Sequence, residues 1–195
     1  MKMLRQNNSV LMGVTYFLLL LSVWSFIWSF FDGGLLNLRY FTNQSVMIVM
    51  LTLFIFSTKY RNNPYFKFLS GVALINIFIT STGFHFILSP DFVGLQGHLS
   101  HTVIPILYIL FYMIFIKDIL QLKQFWVILI YPIVYLAFAV ILGPITNFYP
   151  YGFLNVDTLG LGAVLRFTLL IMVPLYTVIA LGLIYVKSRI ESIYK

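Results

Sequence analysis

Six long runs of apolar residues, each nearly free of charged side chains, dominate this sequence. They cover residues 10–31, 41–58, 68–88, 102–116, 125–142 and 164–186. A helix rises about 1.5 Å per residue and a bilayer's hydrocarbon is about 30 Å thick, so a run of about 20 such residues can cross it. We therefore predict an all-α polytopic integral membrane protein: residues 1–195 form one domain, a bundle of six transmembrane helices.

The composition excludes the other broad classes of protein. Hydrophobic residues make up 61% of the chain and charged residues 9%, and the mean hydropathy is +0.98, which an ordinary water-soluble domain does not reach. The chain has no cysteine, so thiolate metal sites and cysteine nucleophiles are excluded. We expect no cofactor and no bound metal.

The positive charges predict how the helices face. Basic residues near short loops are retained on the cytoplasmic side of a membrane. Ten of the twelve Lys and Arg residues fall on one set of helix ends, and the other two are Arg39 and Arg166. We therefore expect both termini to be cytoplasmic. The net charge of +7 then reflects contact with lipid phosphates rather than with nucleic acid.

A threonine and a histidine stand at comparable depth in two of the predicted spans. Thr42 lies at the start of the second span, in the polar cluster from Arg39 to Ser45, and His101 lies at the start of the fourth. A threonine hydroxyl becomes a nucleophile when a base about 3 Å away removes its proton, and histidine can do so near neutral pH. Residue types alone leave a helix-capping threonine and an interfacial histidine as the alternative.

Further polar residues suggest supporting roles around that pair. Asn76, Thr80 and Gly83 share one face of the third span, with His85 nearer its outer end; this stripe lines a cavity or bonds a neighbouring helix. Residues 143–157 are too rich in Pro and Gly for a helix, and we expect them to pack back onto the bundle as a lid or as an interfacial loop. Asp157 could orient His101 or pair with Arg166.

Three short motifs, in order along the chain, resemble a known family. They are Tyr40-Phe41-Thr42-Asn43-Gln44-Ser45, His101-Thr102-Val103-Ile104-Pro105, and Tyr149-Pro150-Tyr151-Gly152-Phe153-Leu154 followed by Asp157. Together with the six-span layout they resemble the androgen-induced membrane protein family and its bacterial relatives. That family includes threonine hydrolases that cleave fatty acid esters of hydroxy fatty acids. The resemblance implies that Thr42 is the nucleophile and His101 the base, and it suggests the plasma membrane of a bacterium.

These observations favour a membrane-embedded hydrolase of lipid esters, with membrane lipids as its surroundings and a lipid-like ester as substrate. Candidates for oxyanion stabilisation or substrate contact are Arg39, Gln44, Ser45, Asn76, Thr80, His85, Tyr151, Asn155, Asp157 and Arg166. The alternative is a non-enzymatic membrane protein, either a small carrier or a binding or scaffolding subunit. A metal-dependent enzyme ranks third, because His98 and His101 have no evident third ligand.

Overall fold

A computed structural model describes residues 7–88, 94–117 and 119–193, and every regular element in these ranges is helical. Lys2, Arg5, Asp91 and Lys195, which entered the prediction of orientation and loops, lie outside the described residues. The main helices are α1 (Asn8–Gly33), α2 (Phe41–Phe56), α3 (Phe66–Leu88), α4 (Leu95–Phe115), α5 (Phe125–Thr146) and α6 (Leu161–Ile193). The all-α prediction is thus confirmed for the described residues.

Five of these helices, all except α2, are long and apolar enough to cross a membrane. This supports the prediction of an integral membrane protein. Helix α2 has 16 residues and is therefore about 24 Å long, which is less than the thickness of the hydrocarbon. Short 3₁₀ segments, Gly34–Arg39 and Lys59–Asn62, flank it on either side.

Several helices extend beyond the predicted spans, and α6 ends at Ile193 rather than at residue 186. Helix α4 begins at Leu95 rather than at residue 102. The polar side chain of Gln96 finds a partner within the bundle there, because its Nε2 donates to the carbonyl of Ser25, 3.2 Å away. Helix α5 continues through Gly143 and Pro144 to Thr146, and ends where Asn147 adopts a left-handed conformation with φ of 51°.

Helix α3 forms the centre of the bundle. It packs against α2, α4, α5 and α6, while α1 packs against α2 and α4. Ala73, Ile75 and Ile77 of α3 are fully buried. The hydroxyls that interrupt the apolar helices mostly bond to the preceding turn of their own helix, as Ser22 does to the carbonyl of Leu18 at 2.8 Å. The helices can therefore pack closely without leaving these polar groups unpaired.

Three helices contain a wider, π-helical turn. These turns are Phe84–Leu88 at the end of α3, Leu99–Val103 in α4 and Thr168–Met172 in α6. A π turn shifts the side chains that follow it and is frequent at functional sites. All three turns supply residues to the candidate site described below.

Lys187, which the charge pattern places among the lipid-facing basic residues, is buried instead. It is 1% exposed and pairs with Glu191 one turn along α6. Its Nζ also donates to the carbonyl of Met113 in α4, 3.0 Å away. A buried cation is tolerated only when its charge and hydrogen bonds are satisfied, and these partners join the ends of α4 and α6.

Gly71 marks the closest approach of α3 to its neighbours. A Cβ added there would stand 2.5 Å from Leu120 Cδ1 and 3.0 Å from Ile128 Cγ2, and both of these residues are buried. We expect Gly71→Val to destabilise the fold by about 1–3 kcal/mol through overpacking, measured as a lower midpoint of thermal unfolding in detergent. Gly182→Val is the matched control, because a Cβ at Gly182 meets nothing within 4 Å; equal effects of both variants would contradict this prediction.

Candidate active site

Thr42 is the second residue of α2, and local hydrogen bonds fix its position. The 3₁₀ segment before α2 is tied to the first turn of the helix: Asn43 Nδ2 donates to the carbonyl of Asn37, and Gln44 Nε2 donates to that of Leu38, each at 2.7 Å. Tyr40, the residue before the helix, provides no side-chain cap. The Thr42 side chain is therefore held at a helix N-terminus and is 8% exposed.

His101 lies in the π turn of α4. Its ring stacks on Phe84, from the π turn of α3, with the ring centroids 3.9 Å apart and the planes at 10°. Nδ1 of His101 is buried and has no hydrogen-bond partner among the described residues. The imidazole is thus fixed by packing while one of its nitrogens remains available to a reacting group.

Thr42 and His101 line the same apolar cavity, which has a volume of about 50 Å³. The rest of its wall comes from α3, α5, α6 and the loop after α5. The lining residues include Ile79, Phe84, Leu136, Phe153 and Met172. Such walls suit a hydrocarbon chain and offer few polar groups that could bind a hydrated ligand.

A second, more polar cavity adjoins the first. Its volume is about 500 Å³, and Asp32, Asn37, Asn43, Gln96 and Ser100 are among the residues that line it. We call it the vestibule. Five residues line both cavities: Thr42, Phe84, Leu88, His101 and Tyr151. The threonine and the histidine therefore stand at the boundary between an apolar space and a polar one.

No hydrogen bond joins Thr42 to His101 in the described structure. Both side chains line the same two cavities, the hydroxyl from α2 and the imidazole from α4. Catalytic hydrogen bonds are often long in the absence of substrate and shorten in the complex. The capping alternative does not account for Thr42, because the residue lies inside the helix rather than at its N-cap.

Tyr151 also lies at the boundary between the apolar cavity and the vestibule. Its ring packs against Tyr135 and Tyr40. Burial raises the pKa of the Tyr151 phenol, and hydrogen bonding with the side chain and backbone of Thr42 opposes that rise. The phenol therefore stays protonated near neutral pH and can donate a hydrogen bond close to the Thr42 hydroxyl.

Three of the residues predicted to stabilise an oxyanion have other partners. Gln44 uses both ends of its amide, since its Oε1 accepts from the Tyr131 hydroxyl at 2.7 Å while its Nε2 bonds to Leu38. Ser45 donates to the carbonyl of Phe41 at 2.7 Å. Arg39 lies over the Phe148 ring, 5.1 Å from its centroid, and is not among the residues that line either cavity.

The loop after α5 packs back onto the bundle, and Leu154 within it is fully buried. Asn155 caps the helical turn Val156–Leu159, its Oδ1 accepting from the backbone N–H of Thr158 at 3.1 Å. Asp157 is exposed and lies beside Tyr149. It does not line the cavities of His101, and no ion pair joins it to Arg166, which is also exposed.

The predicted stripe on α3 divides into two parts. Thr80 and Gly83 line the apolar cavity, whereas Asn76 is fully buried one turn below Thr80. The amide of Asn76 and the hydroxyl of Thr80 have no hydrogen-bond partner among the described residues.

His85 forms a second histidine–threonine pair. Its Nε2 lies 3.0 Å from Thr102 Oγ1, which is the separation that the sequence argument required of Thr42 and His101. His85 is exposed, and neither residue lines the apolar cavity or the vestibule. The pair therefore has hydrogen-bonding geometry but lies outside both of these cavities.

Sequence reasoning missed two residues that shape the site. Phe84 stacks on His101, and Tyr135 lines the apolar cavity while its hydroxyl donates to the carbonyl of Arg39 at 2.8 Å. Aromatic residues are so frequent in this chain that no local pattern distinguishes these two. No group of three His, Cys, Asp or Glu residues that could hold a metal occurs in the described part of the chain.

A comparison of the chain with family models, curated proteins and solved structures finds no match.

Proposed function

We propose that this protein is a membrane-embedded hydrolase of lipid esters in which Thr42 is the nucleophile and His101 the general base. The observation that carries the proposal is the position of these two residues in the wall shared by an apolar cavity and a polar vestibule. An ester of a long-chain fatty acid, including an ester of a hydroxy fatty acid, likewise has an apolar part and a polar part. Its acyl chain suits the apolar cavity, and its ester group suits the boundary between the cavity and the vestibule.

The reaction follows from this placement. Thr42 Oγ1 attacks the carbonyl carbon of the ester as His101 takes the hydroxyl proton. The tetrahedral intermediate collapses, the bond to the alcohol oxygen breaks, and His101 returns the proton to that oxygen. Water from the vestibule then attacks the acyl-threonine with His101 again as base, and the carboxylic acid is released.

The start of α2 supplies the groups that stabilise the oxyanion. The first N–H groups of a helix have no partner within it and carry a partial positive charge. Here Thr42 and Asn43 lie in the first turn, where no side chain caps the helix. Their N–H groups, with the protonated phenol of Tyr151, are our candidates for the oxyanion site in place of Arg39, Gln44 and Ser45.

For the membrane arrangement, we propose that all six helices cross the bilayer and that both termini are cytoplasmic. Helix α2 reaches across with the help of its flanking 3₁₀ segments, and a local thinning of the bilayer accommodates the remaining mismatch. The asymmetry of Lys and Arg supports this orientation. It places Thr42, His101 and the vestibule near the outer face of the membrane, which we take to be the plasma membrane of a bacterium.

The purified protein in detergent is expected to hydrolyse esters of long-chain fatty acids and to prefer them to acetate or butyrate esters, because the apolar cavity binds the chain. The measurement is the initial rate of hydrolysis for a series of esters that share one alcohol and differ in the length of the acyl chain. A folded protein that hydrolyses none of the esters would contradict the proposal. Solute uptake into liposomes by that same preparation would point to the carrier instead.

A further inference from the structure

Another cavity lies beside Arg39 along α5; it shares no lining residue with the apolar cavity and only Pro150 with the vestibule. We call it the α5 crevice; it has a volume of about 60 Å³ and is lined by Arg39, Phe138, Ala139, Leu142, Thr146, Phe148 and Pro150. Arg39 is the single charged residue in this described lining. The other side chains are apolar apart from Thr146, so the crevice has one charged end and one apolar flank.

The guanidinium of Arg39 is held in place without a carboxylate. It lies over the Phe148 ring, and Phe148 in turn packs edge-on against Tyr40, with the ring centroids 5.6 Å apart. The Tyr135 hydroxyl fixes the Arg39 backbone by donating to its carbonyl. No ion pair with Asp or Glu is formed by Arg39 within the described residues. At the end of a membrane span, an arginine whose charge is not balanced by an acidic side chain is expected to bind an anion.

The apolar flank shows the kind of molecule that would carry this anion. Phe138 and Leu142 are one turn apart on α5, a helix that is apolar enough to span a membrane. The side chain of Phe138 is 44% exposed. From Phe138 to Thr146 the helix rises about 12 Å. A chain lying along this flank would be in the hydrocarbon while its headgroup met Arg39 at the helix end.

We propose that the α5 crevice is a binding site for an anionic phospholipid, with the phosphate on Arg39 and one acyl chain along Leu142, Ala139 and Phe138. Guanidinium groups bind phosphate through paired, charge-assisted hydrogen bonds, and basic pockets at helix ends select anionic lipids. This inference does not depend on hydrolysis, because neither Thr42 nor His101 lines the crevice.

The test is native mass spectrometry of the full chain, purified in detergent with equal amounts of phosphatidylglycerol and phosphatidylcholine carrying the same acyl chains. We expect the wild type to retain at least about five times more phosphatidylglycerol. Arg39→Gln should remove that preference and Arg39→Lys should keep part of it. Arg166→Gln is the matched control, because Arg166 is an exposed arginine that does not line the crevice, and it should behave as the wild type does.

Two further arms identify the ligand. Leu142→Trp, which fills the flank and leaves the charge unchanged, should lower retention of phosphatidylglycerol, whereas a site for headgroups alone would be unaffected. Inorganic phosphate or oleate at equal concentration should fail to displace the lipid. The proposal is overturned if the wild type holds both phospholipids equally, if Arg39→Gln retains the preference, or if either free anion displaces the phospholipid.

Discussion

Thr42→Ala is expected to reduce hydrolysis of long-chain esters by at least about a thousandfold, because it removes the atom that attacks the carbonyl. The Thr42 side chain bonds with the Tyr151 phenol and lines a cavity, so its truncation costs the fold little. The expected result is a loss of kcat with an unchanged midpoint of thermal unfolding. The measurement is the steady-state rate with the best ester of the chain-length series.

Thr42→Ser is the matched control for this variant. It keeps a hydroxyl at the same position and should retain measurable turnover. The neighbouring hydroxyl of Ser45, which bonds to the carbonyl of Phe41, gives a second control, and Ser45→Ala should stay within a few fold of the wild-type rate. Full activity in Thr42→Ala would show that another residue attacks the ester.

His101→Gln is expected to lower kcat/KM by about 10²–10⁴-fold, the usual contribution of a positioned general base. Glutamine preserves a polar side chain of similar length but cannot accept the threonine proton and return it. We expect the variant to remain folded, because the ring is held mainly by stacking on Phe84. The measurement is the rate of ester hydrolysis, accompanied by size-exclusion chromatography to verify folding.

His85→Gln separates the two histidine–threonine pairs. His85 bonds to Thr102, but neither residue lines the apolar cavity or the vestibule, so the variant should keep its activity within a few fold. If His85→Gln loses activity and His101→Gln retains it, the reaction takes place at His85 and Thr102, and the assignment of the base is wrong.

The apolar runs predicted the helices well, because contact with lipid and burial in the bundle both require apolar side chains. The errors occurred where polar or helix-breaking residues find partners that a single sequence does not reveal. Gln96 bonds to α1 and so belongs to a helix, and Pro144 lies within α5, close to its end. Lys187 was placed at the lipid surface because its bond to the carbonyl of Met113 depends on how α4 and α6 pack.

For the candidate site, the sequence singled out Thr42 and His101, which line the same two cavities, because they stand at comparable depth in two predicted spans and lie in motifs that resemble a known family. Gln44 and Ser45 were chosen for their closeness to Thr42 along the chain, but on a helix adjacent residues point in different directions. Phe84 and Tyr135 were missed, because their roles arise from contacts between distant segments, which no local pattern encodes.

The measurement that tests the central claim most directly is the site of covalent labelling by an alkyl fluorophosphonate, mapped by peptide mass spectrometry on the detergent-purified protein. The account predicts a single adduct on Thr42, formed in the wild type and lost in both Thr42→Ala and His101→Gln. An adduct on Thr102 or Ser100, or labelling that persists in both variants, would contradict it.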